Sequence, residues 1–403
     1  MNNIVNNAIK LNRMTKKLYA GLSREFEVYK VCIDELYYND ENGRIASFMS
    51  EYDSSHSEKI STLSRKEYND KIMDYIKKSE TSATFEKTKE NIKNVGQMEV
   101  GVILSDGRVI DGNRRFTCLR ELYAETSDLK YYYFECIILP VPTNDADRHA
   151  LKSLELAAQY GTDERVGYSP IDRLADIYRD LIGPNHFFTE KEYIQRVNDM
   201  ISNSELKLMI NKAKTLYEYL EFIGQPNRWD IARVEKLDGP IQEIANLRKK
   251  IGDNEDEWDR VKIVLFNQLK CISGDRTREV RKLIKLYNND PVAFDEIAND
   301  VEDLVLTQTI NDINLNDKEK SASEKEIKEK RESIDKRINK EYHNVQIDEA
   351  KAKQLKILKD AYEKINNIDR YAIIRSDESM KLKISNEIDK IVKELEIIKG
   401  MIN

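Results

Sequence analysis

The chain has few cysteines, and they are scattered. Cys32, Cys118, Cys136 and Cys271 stand far apart, with no CxxC pair. That spacing indicates neither a disulfide framework nor a cysteine zinc site. No run of about 18 apolar residues occurs, so no segment reads as a membrane-spanning helix. The N-terminus also lacks a signal-peptide pattern. The expectation is a soluble, cytoplasmic protein with reduced thiols and no membrane partner. Excess basic charge is absent too. A net charge of −7 over 403 residues argues against a uniformly basic nucleic-acid coat. One basic face remains compatible with that total, because contact electrostatics is local. No repeat suggests a solenoid.

What is present is length and pattern. At 403 residues, with 40% hydrophobic and 34% charged, the chain suits two or three domains that each bury a core. It is organised around Met98 to Glu125. Val100, Val102 and Leu104 alternate as in a half-buried strand. Asp106-Gly107 is a hairpin turn pair, and Arg108 to Ile110 returns as a second strand. Asp111-Gly112-Asn113 breaks that strand and can cap a helix. From Arg114 onward, Phe116, Leu119, Leu122 and Tyr123 recur at helical spacing.

Two arginines, Arg114 and Arg115, therefore fall in the first turn of a helix, behind a glycine, at the end of a strand. The first amides of a helix lack intrahelical partners and carry the positive end of its dipole. A glycine lets a ligand approach the backbone, and guanidinium forks match phosphate oxygens. The arrangement reads as an anion site, for phosphate first. The alternative is that both arginines are solvated or paired with nearby carboxylates.

Gly112-Asn113-Arg114-Arg115-Phe116-Thr117-Cys118 resembles the Gly-Glu-Arg-Arg-aromatic-Arg-Ala motif of the ParB family. Ile33 to Leu36 with Asn39 to Arg44 (NDENGR) resembles that family's opening strand and Asn-Pro-Arg segment. Ile92 to Val102 resembles its helix, Gly turn and Gln-Pro strand. The similarity covers roughly residues 30–185. It implies the ParB/sulfiredoxin fold and a nucleoside triphosphate, CTP or another, bound with Mg²⁺ between this motif and a later loop. A related group of phage-defence and DNA-modification proteins carries an Asp-Gly-x-x-Arg version, which Asp111-Gly112 matches. The site residues implied are Asp111, Gly112, Asn113, Arg114 and Arg115, with Arg165 from the later loop.

The departures bear on catalysis. The family's Glu-Asn-x-Gln-Arg segment places Arg165 at the arginine, but Gly161 and Thr162 fall where Glu-Asn belongs. Asn113 stands where the family has Glu. The resemblance thus carries anion binding and puts hydrolysis in doubt; no catalytic residue is assigned and no metal ligand is named. Sulfiredoxin chemistry needs a Cys between the Gly and a His-Arg pair. Asn113 and Arg114 occupy those places, and Cys118 reads as a buried apolar residue of the helix.

Around this centre, residues 1–29 read as a helical lead-in with Met14, Leu18 and Leu22 on one face. Val31 to Leu36 reads as a strand. Ser54 to Glu90, anchored by Ile72, Ile76 and Phe85, reads as one or two helices covering the sheet, in a segment longer than ordinary ParB proteins have. Tyr131 to Val141 is the strongest strand, stopped by Pro140 and Pro142. His149 to Tyr160 is helical, and Ser169-Pro170 opens the next helix, with Ile171, Leu174, Ile177 and Leu181 as its stripe. Residues 187–224 look like a helix-turn-helix, with a Thr189–Glu192 capping box, a turn at Asn203-Ser204, and Lys207, Asn211, Lys212 and Lys214 on the exposed face of the second helix. Lysines there suit DNA phosphates, and the Asn211 amide suits a base edge. A helical bundle with a solvated lysine face is the alternative.

Residues 227–310 continue as helices, with a basic patch at Arg276, Arg278, Arg281 and Lys282 that Glu255-Asp256-Glu257 can neutralise. From Asp312 the chain turns to Lys and Glu. Leu355, Leu358, Tyr362 and Ile365 form one stripe; Met380, Ile384, Ile388, Ile391, Leu395 and Ile398 form another, close to a coiled-coil seam. The two predict an antiparallel hairpin that folds back on this chain or forms a homodimer. The fold class expected is α+β. It divides into a helical lead-in (1–30), a ParB/sulfiredoxin-like α/β domain (31–185), a helical domain (186–311) and a charged helical, coiled-coil region (312–403). Three functions compete: a nucleotide-responsive DNA-binding protein of plasmid maintenance or phage defence, a nuclease or NTPase of a defence system, and a dimeric scaffold. The enzyme would need a carboxylate cluster for Mg²⁺, and of Asp106, Asp111 and Glu121 only Asp111 is well placed.

Overall fold

A computed structural model describes residues 4–19, 22–160, 169–184, 186–197, 201–272, 274–314 and 317–402. The fold is α+β: an N-terminal mixed sheet of six strands, then helices. The strands are β1 (Ile9–Tyr19), β2 (Leu22–Cys32), β3 (Tyr37–Tyr38), β4 (Gly101–Leu104), β5 (Arg108–Asp111) and β6 (Tyr133–Leu139). The helices interleaved with or following the sheet are α1 (Ala46–Ser55), α2 (Arg65–Lys78), α3 (Ser82–Val95), α4 (Asn113–Thr126), α5 (Asp145–Tyr160) and α6 (Pro170–Leu181). Then come α7 (Glu190–Arg196), α8 (Asn203–Phe222), α9 (Trp229–Val234), α10 (Asp238–Ile251), α11 (Glu255–Cys271), α12 (Arg276–Asn289) and α13 (Pro291–Asn314). The last are α14 (Asp317–Asn366), α15 (Arg370–Arg375) and α16 (Glu378–Gly400). The chain separates into two compact units, Met1–Ile334 and Asp335–Asn403.

In the first unit the strand order is β1-β2-β6-β4-β5-β3. β4 lies parallel to β6 and β3 parallel to β5; the other pairs are antiparallel. Both faces of the sheet are covered. Ile103, Val109, Phe134 and Cys136 look into one core with Phe116, Leu119 and Leu122 of α4 and Ile72, Ile76 and Phe85 of α2 and α3. Val102, Leu104, Ile110, Ile137 and Leu139 look into a second with Leu154 of α5. This corrects the half-buried reading of the central strand: every residue of β4 is buried, because alternate side chains enter different cores.

The described residues of the 1–29 stretch are not a helical lead-in. β1 and β2 form a long antiparallel hairpin, with Ile9 opposite Lys30 and Tyr19 opposite Leu22. A spacing of four, as between Met14 and Leu18 of β1, suits a strand as well as a helix, and Leu22 belongs to β2, so that pattern did not discriminate. The alternation of Phe26 and Val28 against Tyr29 and Val31 decides it. The first pair joins one core and the second pair the other. Past Cys32 the strand also ends earlier than its composition suggests, in a 3-10 turn at Ile33–Glu35.

Two helices, α2 and α3, occupy the 54–90 stretch from Arg65 onward, after the end of α1 and a 3-10 turn at Ile60–Thr62. Ser64 and Glu67 close a capping box on α2. Thr81, the N-cap of α3, makes no side-chain capping bond. Asn203-Ser204 is not a turn: Ser202 caps α8 in a box with Glu205, and both residues lie in its first turn. The α12 patch is neutralised by Glu235, Glu243 and Glu279 rather than by residues 255–257. In the second unit, α15 interrupts the expected link between the two stripes, and α16 has no buried residue. Leu355, Leu358, Tyr362 and Ile365 are exposed, as are Met380, Ile388, Ile391 and Leu395, so neither stripe covers the other.

Candidate phosphate-binding turn

The end of β5 and the start of α4 meet at Gly112, which takes φ 93° and ψ 21° as the N-cap. A β-carbon would be strained at that φ and would lie 3.0 Å from the Phe134 ring and 3.2 Å from Arg115 Nη2. The helix behind it is firmly held. Phe116 is fully buried and packs on Tyr38, with ring centroids 4.7 Å apart, and edge-on to Phe134 at 5.9 Å. Tyr38 and Thr117 share a hydrogen bond of 2.8 Å, and the Thr117 hydroxyl donates to the Asn113 carbonyl at 2.9 Å. The first turn of α4 is thus a fixed platform.

Around it the charges are specific. Arg115 Nη2 lies 3.4 Å from Asp111 Oδ2, and Lys17 Nζ approaches the same oxygen at 3.5 Å. Arg114 Nε donates to Glu80 Oε2 at 2.6 Å, and Arg44 Nη1 donates to Glu80 Oε1 at 3.0 Å. The expected sites Asp111, Gly112, Asn113, Arg114 and Arg115 therefore converge on one turn, with both arginines paired to carboxylates. Two buried polar atoms in this turn lack a partner: Asn113 Oδ1 and Arg115 Nη1. Arg165 lies outside the described residues.

Lys17, Arg44 and Glu80 are the residues that sequence reasoning did not place at the site. Arg44 belongs to the Asn39–Arg44 segment, and a buried ionic network fixes that segment. Asn39 donates to Glu155 at 3.1 Å, and Arg179 donates to the Glu41 carbonyl at 3.3 Å and to Asp176 at 2.5 Å. Lys152 reaches Glu155 at 3.1 Å and Asp180 at 3.8 Å. Gly43 packs so closely on Asp176 that a β-carbon would lie 1.6 Å from its carboxylate. Asp172, also on α6, accepts from the Ser47 amide at 2.7 Å. Burial pushes its carboxyl up to about 6, with Asp176 adding to the rise and the Ser47 hydrogen bonds opposing it. Burial, aided by Glu121 and Glu80, pushes the Cys118 thiol up to about 12, which favours the neutral thiol. No group of three or more His, Cys, Asp or Glu that could hold a metal occurs among the described residues.

The proposed DNA-facing residues of α8 divide. Lys207 and Lys214 are exposed. Asn211 donates to the Ala245 carbonyl of α10 at 2.6 Å, and Lys212 pairs with Asp238 at 2.6 Å, so both turn onto the neighbouring helix. Lys207 also lines a shallow cleft between α7 and α8 with Lys191, Gln195 and Asn203.

Comparison with protein-family models and with curated proteins finds no match. Among solved structures, the chain is similar to a Pnob8-like ParB-N domain. The identity is 12% and the TM-score 0.37, over 72% of this chain and 99% of that one. No described helix is long and apolar enough to cross a membrane.

Proposed function

We propose that the protein is a nucleotide-responsive DNA-binding protein whose Gly112–Arg115 turn takes the phosphates of a nucleoside triphosphate. The observation that carries this reading is the left-handed Gly112 at the head of α4, beside the buried, unpartnered Asn113 Oδ1 and Arg115 Nη1. An N–H with no acceptor inside the protein favours an acceptor from outside. The Asn113 amide can present either its oxygen or its nitrogen to that space. The likeness of residues 112–118 to the ParB motif supports phosphate over other anions. In this reading Mg²⁺ is bound together with the polyphosphate.

DNA engagement is assigned to α8 through Lys207 and Lys214, which are exposed. The exposed Ile388, Ile391 and Leu395 of α16 support self-association through a second copy of that helix, because monomers rarely leave so long an apolar stripe open.

The test is calorimetric titration of CTP, ATP, GTP and UTP, with and without Mg²⁺, into the wild type and Arg115→Ala. Arg115 has only one long ion pair to lose, so the variant should keep its fold by circular dichroism and lose nucleotide binding. Equal affinity in a folded Arg115→Ala would sink the proposal.

A further inference from the structure

Glu80 is the residue of this site that the phosphate reading does not use. It lies in the junction between α2 and α3, where a glutamate ordinarily points into water. Its side chain is instead 2% exposed. Each of its oxygens is taken by a different arginine, Oε1 by Arg44 and Oε2 by Arg114. A terminal phosphate presents its oxygens to a pair of guanidinium groups in the same bridging manner.

We infer that Glu80 is an internal stand-in for the ligand, a carboxylate held between Arg44 and Arg114 that an incoming polyphosphate displaces. This inference rests on the phosphate reading given above. The surroundings suit a removable group. The Arg44 and Arg114 side chains are 26% and 18% exposed, so both remain partly hydrated when the carboxylate leaves. The backbone is well bonded on either side, at Ser79 and at Thr81, and long only at Glu80 itself. Glu80 N–H reaches the Lys77 carbonyl at 3.4 Å, the long end of the hydrogen-bond range. Thr81 makes no capping bond to α3. The first turn of α4 keeps Asn113 Oδ1 and Arg115 Nη1 without partners, next to the arginine that Glu80 occupies.

The exchange also sets a preference. A carboxylate brings one charge and two oxygens; a terminal phosphate brings up to two charges and three oxygens. Polyphosphates therefore compete for the two arginines better than singly charged anions do. Affinity is set by the difference between the two occupants, not by the arginines alone.

The experiment compares wild type and Glu80→Gln by calorimetric titration with inorganic tripolyphosphate and with the four nucleoside triphosphates. The amide keeps the shape and removes the competing charge, so Glu80→Gln should bind about tenfold tighter, the order expected for freeing charge-assisted hydrogen bonds. Weaker or equal binding by a folded Glu80→Gln overturns the inference, because a carboxylate that orients the arginines for the ligand would give that result while the phosphate reading stands. If neither chain binds any of these probes, the phosphate reading fails with it. A second readout uses the wild type alone, should the variant not fold. Hydrogen exchange at residues 78–82 should speed up on adding a saturating probe. Slower exchange there would mark Glu80 as staying in place and overturn the inference.

Discussion

α4 and α16 begin from the same kind of pattern and end in opposite conditions. In α4, Phe116, Leu119 and Leu122 recur at helical spacing and are all buried against the sheet. In α16, Ile388, Ile391 and Leu395 recur at the same spacing and are all exposed. Periodicity states that a helix has an apolar face; it does not state what covers it. What differs is the neighbourhood. α4 is tied at its start by a strand, a glycine and Tyr38, whereas α16 has no buried residue.

Truncation should measure that contrast most directly. Phe116→Ala should cost about 3–5 kcal/mol of stability, read as a lowered denaturation midpoint, since a fully buried ring leaves a cavity. Ile391→Ala should change the stability of an unassembled chain by no more than about 0.5 kcal/mol. A large loss from Ile391→Ala that depends on protein concentration would show that α16 is covered by a second chain. Ile388→Asp with Ile391→Asp should then bring the sedimenting mass down to that of one chain. A wild type that already sediments as a monomer at micromolar concentration would remove the self-association reading.

The start of α4 allows a smaller test. Gly112→Ala should destabilise by about 1–3 kcal/mol through the strained left-handed backbone alone, with contact on Phe134 adding to it. An unaffected midpoint would mean that the turn rearranges freely.

Charged side chains extend the contrast between covered and uncovered faces. Asp172 on α6 is fully buried, and its carboxyl titrates near 6, above the unfolded value of about 4. The folded state therefore holds its proton more tightly than the unfolded state. The stability from this group is full below about pH 4, falls as pH rises towards 6 and is level above that. Asp172→Asn should flatten the slope across that window and raise the melting temperature at pH 7. An unchanged slope would show that burial does not govern this group. Asp176 is the nearby charge that raises it and Arg233 the one that lowers it.

The smallest effect is expected where charges are solvated. Lys207→Glu with Lys214→Glu should leave stability within about 0.5 kcal/mol while weakening DNA binding and lowering its salt slope by about 2. Unchanged affinity and slope would take DNA off α8.

Much of this was legible because it is local. β5, Gly112 and α4 follow one another within a few residues, so turn chemistry and spacing sufficed. The same holds for Ser169-Pro170 at the head of α6. The β1–β2 hairpin was less so, because the spacing of Met14 and Leu18 fits either period, and only the two-core packing of residues 26–31 separates them. Glu80 was not legible at all. Its partners lie 36 and 34 residues away, and nothing in its own neighbourhood distinguishes it from the other acids of a charged segment. Asn211 and Lys212 looked like outward-facing residues until α10 was placed beside them.

The sheet order also has a consequence in time. β1 and β2 are adjacent in sequence, and hairpins of this kind form within microseconds. The inner edge of β2 pairs with β6, where Cys32 meets Tyr133, so its partner leaves the ribosome about a hundred residues later. At ordinary synthesis rates that is a wait of about 5–20 s with an open edge. During it, Lys10, Arg13, Lys16 and Lys17 on β1 and Arg24, Glu25, Glu27 and Lys30 on β2 set charge along both strands of the hairpin, which discourages one nascent chain from adding to another. Slowing translation between residues 32 and 133 lengthens the time for which the inner edge of β2 stays open to another chain.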